Sequence, residues 1–437
     1  MASSRFALGA VLLLPVPLTA QHPSPVSAPE QAVVRFIDAH NAEAEALLER
    51  IVNINSGSLN FTGVREVGRV LKAEFEELGF ATRWEDGAAF GRAGHLIAER
   101  KGRGTRLLLI GHLDTVFERD SPFQRFERID AKTARGPGII DMKGGDVIIV
   151  HALKALKAAQ LLDDMNVTVI MTGDEESTGA PQEFARRSLI DAAKQSDVAI
   201  GFEDGAGDSK QAVIARRGYT SWSLVVTGTP AHSSQIFRAD IGPGAIFEAA
   251  RILNEFRERL AGQAFLTFNP GTALGGTTVS RDSTGTRGTV FGKGNIIAEH
   301  MDVTGDLRIL SPTQLAVTKS AMQAIAARSL PHTSATLTFE DGYPALPPTD
   351  GNRRLLGFYD QVSRDLGFDS VVATDPMRAG AADVSFTSGF VSMAIDGIGL
   401  AGHDDHTAKE TADLSTLPML TKRAAVLFHR LTRHTVP

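Results

Sequence analysis

Between about residues 30 and 215 the chain alternates between two periodicities. Helical spacing marks "EAEALLERIV" and "VREVGRVLKAEFEELG", whereas "RLLLIGHLD" and "NVTVIMTGD" are short continuous apolar runs separated by a long helical stretch, "GDVIIVHALKALKAAQLL". Apolar runs without alternation belong to strands covered on both faces, so this order predicts an α/β domain with a mostly parallel sheet between helices. Ligands of such sheets gather beyond the carboxyl ends of the strands, where "GHLD", "GDEE" and "GFED" all fall. At 437 residues, 43% of them hydrophobic, the chain has material for two domains rather than one.

The pattern changes after "RRG". A strand-like "YTSWSLVVTG" precedes the amphipathic "GAIFEAARILNEFRERLAG", and a strand within "NIIAEHMDVTGDLRIL" leads to the helix "SPTQLAVTKSAMQAIAARSL" and the strand "SATLTFEDG". Ser311 is the expected N-cap of that second helix, with Pro312 at its first position. Two strand and helix units in this order predict a smaller α+β, ferredoxin-like domain at 217–342, inserted into a main domain of 31–216 and 343–437. Ahead of them, residues 1–20 have Arg5, a short apolar stretch broken by Pro15 and Pro17, and a small residue at Ala20. This reads as a secretory signal peptide followed by a linker at 21–30, so export to a periplasm is expected, without a stable membrane anchor after processing. The formal net charge of −6, with no basic block, gives no footprint for nucleic acid or an anionic membrane.

With no cysteine in the chain, disulfides and thiolate ligands are excluded, and a metal site must use His, Asp and Glu. His112 and Asp114 lie two apart on a strand and share a face, so Asp114 is placed to take a proton from one ring nitrogen while the other binds a metal. Asp141 sits in the glycine-rich "GPGIIDMKGG", where glycines allow close approach of the backbone to a ligand and the carboxylate is free to bridge two cations, or simply to cap a helix. "GDEES" supplies Glu175 and Glu176, "GFED" supplies Glu203 and Asp204, and "GLAGHDDHTAKE" supplies His403 and His406. Each stretch alone is an ordinary polar turn; together they form a ligand set. Adjacent glutamates at a buried strand end need compensation, which two zinc ions about 3.5–4 Å apart supply. Asp141 then bridges, Glu176 binds one metal, and Glu175 stays unligated as general base toward the bridging water.

In the order "GHLDTV", "DMKGG", "GDEES", "GFED", "TGTPAHSS", "GNIIA", "DLR" and "HTAKE", the chain resembles the di-zinc metallopeptidase family of glutamate carboxypeptidases, aminoacylases and acetylornithine deacetylases. It looks most like the folate-cleaving glutamate carboxypeptidase branch. The resemblance implies His112, Asp141, Glu176, Glu203 and His406 as ligands of two zinc ions per subunit, with cobalt or manganese as alternatives. It also implies Asp114 behind His112, Glu175 as the base, and a homodimer in which His232 reaches the partner's site to stabilise the oxyanion. Arg308, Arg378 and Asn295 match substrate-binding positions, and guanidinium groups suit a free C-terminal carboxylate. Departures occur at Asp204, where the branch usually has Pro and which makes a rival ligand, at Ala298, and in "AGAADVSF", which keeps Asp383. The expected reaction is hydrolysis of the amide bond to a C-terminal amino acid, glutamate first. An N-acyl amino acid amidohydrolase or dipeptidase on the same site and a catalytically silent periplasmic binding protein are the alternatives.

Overall fold

The computed structural model describes residues 26–282 and 287–433; the expected signal peptide, and the linker up to residue 25, lie outside the described residues. The first helix begins at Ala28, inside the stretch expected as linker, and runs to Ala39.

The main sheet is built from β1 (Ala81–Asp86), β2 (Gly94–Arg100), β3 (Arg103–His112), β4 (Met165–Thr172) and β5 (Val198–Gly201). The inserted domain contributes β6 (Gly218–Gly228), β7 (Thr267–Gly276), β8 (His300–Ile309) and β9 (Thr333–Asp341), and β10 (Met393–Ile395) returns to the main sheet. The main sheet has the order β1, β2, β4, β3, β5, β10. β4, β3, β5 and β10 pair in parallel, and β1 and β2 add an antiparallel margin.

The continuous apolar runs have a direct cause. In β3, Leu107 and Leu109 pack into the core under the helices Gly144–Ala158 and Leu417–Arg433, whereas Leu108 and Ile110 face the opposite core beside Leu189, Ala193 and Phe386. Both faces are therefore apolar, and alternation disappears.

The inserted domain differs because only one face of its sheet is covered. Trp222, Leu224 and Val226 of β6 point into a core shared with Ile252 and Phe256 of the helix Gly244–Leu260 and with Met322 and Ile325 of the helix Pro312–Ala326. Alternating residues of β6 remain outside that core, so the strand shows the two-residue rhythm of a half-buried sheet. The order β7, β8, β6, β9, antiparallel throughout, is the ferredoxin-like arrangement expected from two strand and helix units. Ser311 caps the second helix, its side chain accepting the amide of Gln314.

Candidate metal centre

Strand ends and two loops deliver the candidate site. His112 closes β3, Glu175 and Glu176 follow β4, and Glu203 stands two residues past β5, all at the carboxyl edge of the parallel strands. Asp141 comes from the turn before the helix Gly144–Ala158, and His406 from the loop after β10.

Asp141 stands between the two histidines. Its Oδ1 lies 3.1 Å from His112 Nε2, and its Oδ2 lies 2.9 Å from His406 Nε2. Glu203 Oε1 joins the His112 side at 3.6 Å, and Glu176 Oε2 joins the His406 side at 3.2 Å. One carboxylate thus faces two half-sites, each completed by one imidazole and one further carboxylate. Donor atoms of His112, Asp141 and Glu176 lie within 4.8 Å of one another, as do those of His112, Glu175 and Glu203.

The charge balance fits divalent cations. Among the described residues no Lys or Arg forms an ion pair with Asp141, Glu175, Glu176 or Glu203, and Glu176 Oε1 is buried without a hydrogen-bond partner. Burial, reinforced by the Asp141 charge, pushes Glu176 up to about 7; burial also pushes Glu203 up to about 7 against the opposing pull of His112. Glu175 is raised well above the ordinary glutamate value by burial and then by the Glu203 charge. Carboxylates that resist ionisation when crowded together are the donors a hard or borderline cation would use.

Asp114 supports the site differently from the sequence expectation. His112 Nδ1 meets the Asp114 backbone carbonyl at 3.1 Å, while the carboxylate Oδ1 is 3.5 Å away. Three other donors hold that carboxylate: Ser58 Oγ at 2.5 Å and the amides of Glu175 and Glu176 at 3.0 and 3.1 Å. Asp114 therefore orients both the imidazole and the acidic loop. Gly145 of "DMKGG" also permits close packing within the chain. A Cβ on Gly145 would lie 2.0 Å from the Phe202 carbonyl, so Gly145 lets the helix approach the chain leading to Glu203.

The rivals separate by position. Asp204 and His403 line the cavity of about 360 Å³ in front of the ligands, yet neither joins a group of converging donor atoms among the described residues. Asp405, which the sequence reading passed over, does converge with Asp141 and His406; its only signal was adjacency to His406.

The expected substrate residues divide into three places. Arg378 lines the cavity beside the ligands. Arg308, on β8, pairs with Asp306 at 3.1 Å and lies over the Tyr219 ring. His232 and Asn295 are exposed neighbours on the inserted domain, where the Asn295 carbonyl accepts the Ser233 amide at 2.9 Å, and neither lines the cavity.

Two further carboxylates support the site through backbone amides. Asp396 accepts the Glu203 amide at 3.3 Å and pairs with the buried Arg216 at 2.8 Å, steadying the Glu203 backbone. Glu410 does the same for Asp141, accepting the amides of Gly138, Ile140 and Asp141. The isolated Asp396 in the apolar "VSMAIDGIGLAG" was the available signal for the first.

Residues 108–430 match the sequence profile of Peptidase family M20/M25/M40. The chain is 26% identical over 388 residues to Carboxypeptidase G2 of Pseudomonas sp. (strain RS-16), covering 87% of each chain. Its fold is similar to that of aminopeptidase PepT from Bacillus cereus ATCC 10987, with a TM-score of 0.69 and 17% identity over 90% of this chain and 98% of that one. It is also similar to the Bacillus subtilis YXEP protein, a dinuclear metal-binding peptidase of the M20 family, with a TM-score of 0.61 and 15% identity over 91% and 99% of the two chains.

Proposed function

The chain belongs to Peptidase family M20/M25/M40, and on that premise we propose that this hydrolase is a di-zinc carboxypeptidase that releases a C-terminal amino acid, glutamate first. The observation that carries the reading is the Asp141 carboxylate, with one oxygen on His112, which also meets Glu203, and the other on His406, which also meets Glu176. His112, Asp141, Glu176, Glu203 and His406 would hold the two cations. Bound there, they supply Lewis acidity toward the scissile carbonyl and make water more acidic.

The chain's own residues do the rest. Glu175 pairs with no Lys, Arg or His in the described residues, and its carboxylate lies within 4.8 Å of donor atoms of His112 and Glu203, which places it to accept a proton from the attacking water. It returns that proton to the amine nitrogen as the C–N bond breaks. Arg378 faces the same cavity and suits the substrate's free carboxylate. His232, supplied by a second subunit, donates to the oxyanion as it develops. A second subunit also suits the exposed apolar cluster on the inserted domain, where Phe237 and Phe247 touch and Ile246 is open to solvent. The Carboxypeptidase G2 likeness over 87% of the chain supports a carboxypeptidase over the other activities. Residues 1–20 support export to a periplasm.

A dipeptidase reading has its own support. Asp204, Asp404 and Asp405 line the same cavity as Arg378 and suit a substrate with a free ammonium group. Retention of Glu175 weighs against a catalytically silent binding protein.

The deciding experiment incubates zinc-loaded mature protein with N-acyl amino acids, dipeptides and pteroyl-glutamates, with Glu175→Gln alongside. Glutamate release by the wild type alone is the expected result, with the variant slowed by about 10²–10⁴-fold while keeping its metal. Release of other amino acids would remove the glutamate assignment, and equal activity of the variant would remove Glu175 as base.

A further inference from the structure

The loop carrying Glu175 and Glu176 rests on a buried guanidinium that the proposed reaction does not use. Arg186 donates through Nε to Asp383 Oδ1 at 2.7 Å and through Nη1 to Asp174 Oδ1 at 2.6 Å. Its Nη2 reaches the Asp174 carbonyl at 3.1 Å and the Tyr343 hydroxyl oxygen at 2.5 Å. The remaining oxygens are also taken: Asp383 Oδ2 accepts Thr172 Oγ1 at 2.6 Å, and Asp174 Oδ2 accepts the Gly179 amide at 2.8 Å. The Tyr343 hydroxyl donates in turn to the Glu175 carbonyl at 3.2 Å. A planar, permanently charged fork holds such an arrangement in one geometry, as a flexible ammonium does not.

Tyr343 has a second attachment. The chain enters the inserted domain at Gly218 and leaves it after Asp341, and these crossings are bound together: the Tyr219 amide donates to the Tyr343 carbonyl at 3.0 Å, and the Gly342 amide to the Tyr219 carbonyl at 3.1 Å. The Tyr343 ring packs against Tyr219 and Phe386. One side chain therefore touches both the junction of the two domains and the backbone of the Glu175 loop.

We propose that Tyr343 is a positioning residue for Glu175, its hydroxyl braced by Arg186 so that the junction with the inserted domain and the Glu175 backbone move together. The proposal rests on the reading of Glu175 as the base. It gives Asp383, retained within the altered "AGAADVSF", a purpose: to anchor Arg186.

Tyr343→Phe removes the hydroxyl and keeps the ring contacts with Tyr219 and Phe386. The first test is hydrogen exchange of the amides in 173–179, in metal-loaded and metal-free protein. Exchange roughly tenfold faster in the variant is expected, and unchanged exchange would overturn the proposal. The second test is kinetic, on whichever substrate the wild type cleaves. A kcat loss on the order of 10- to 100-fold with KM within about twofold is expected, because sub-ångström misplacement of a base acts on the chemical step. In a Glu175→Asp background the same substitution should cost far less, since the base is already displaced. A lower melting temperature with unchanged kcat, or a full additive loss in the double variant, would reduce Tyr343 to a purely structural residue. If the wild type cleaves nothing on the panel, the proposed function fails, while the exchange comparison still decides this proposal.

Discussion

The Glu410 carboxylate accepts the backbone amide of Asp141 at 3.3 Å, together with the amides of Gly138 and Ile140 at 2.9 Å each. Glu410 lies four residues after His406, so one loop supplies a candidate ligand and fixes the backbone of the candidate bridge. Gly138 takes the left-handed conformation, with φ +68°, that directs these amides inward. Replacing Glu410 by Gln puts an NH₂ group where at least one amide donor now points. We expect Glu410→Gln to weaken metal binding about 10- to 100-fold, with the fold intact by circular dichroism. Competition against a chelator of known affinity measures this; wild-type affinity would show that the turn holds Asp141 without Glu410.

Arg378 and Arg308 make different predictions although both match substrate-binding positions. Arg378 faces the candidate metal cavity and has no ion pair among the described residues, so Arg378→Ala should raise KM for a substrate with a free carboxylate by about 10- to 100-fold, the loss of a charge-assisted hydrogen bond. Arg308 is already paired with Asp306 and stands outside that cavity. Arg308→Ala should therefore act only if the inserted domain closes over the substrate, and its effect should appear in kcat and KM together. Steady-state kinetics on a free acid and its methyl ester separate the cases, because the ester should erase the Arg378 effect.

Most ligand candidates were legible because they end or follow an apolar run that reads as a buried strand, or sit in a glycine-rich turn. Their supports were not. Arg186 and Asp383 meet across 197 positions of sequence, and Glu410 reaches Ile140 across 270; no local pattern encodes such pairings. Strand geometry hid other features. β7 contains Pro270 and several glycines, which fit only because it is an edge strand with a register shift between Pro270 and Thr272. β1, "ATRWED", has no fully buried residue and so lacks the apolar signature of its neighbours.

His232 tests the expected dimer through catalysis rather than size. It is exposed on the inserted domain and absent from the lining of its own chain's metal cavity. If it serves the partner's site, His232→Ala and Glu175→Gln homodimers should each be nearly inactive. After subunit exchange, half the dimers are mixed and each has one site with both groups intact, so activity should recover to about a quarter of wild type. No recovery despite demonstrated exchange would place His232 outside catalysis in the partner.

His151 sets an acid limit on stability independent of the metal centre. It is buried on the helix Gly144–Ala158, and burial, with smaller repulsion from Lys154 and His40, lowers its pKa to about 4. Above pH 6.5 the imidazole is neutral in both folded and unfolded chains and contributes no pH dependence. Between pH 6.5 and 4 the unfolded chain binds the proton first, so stability falls as pH falls, reaching a loss of about 3 kcal/mol below pH 4. At pH 5 the loss is about 2 kcal/mol. His151→Leu removes this titration and keeps an apolar side chain of similar reach. Urea unfolding of both proteins at pH 7 and pH 5 should show the wild type losing about 2 kcal/mol more than the variant on acidification; equal losses would mean that His151 is protonated inside the fold.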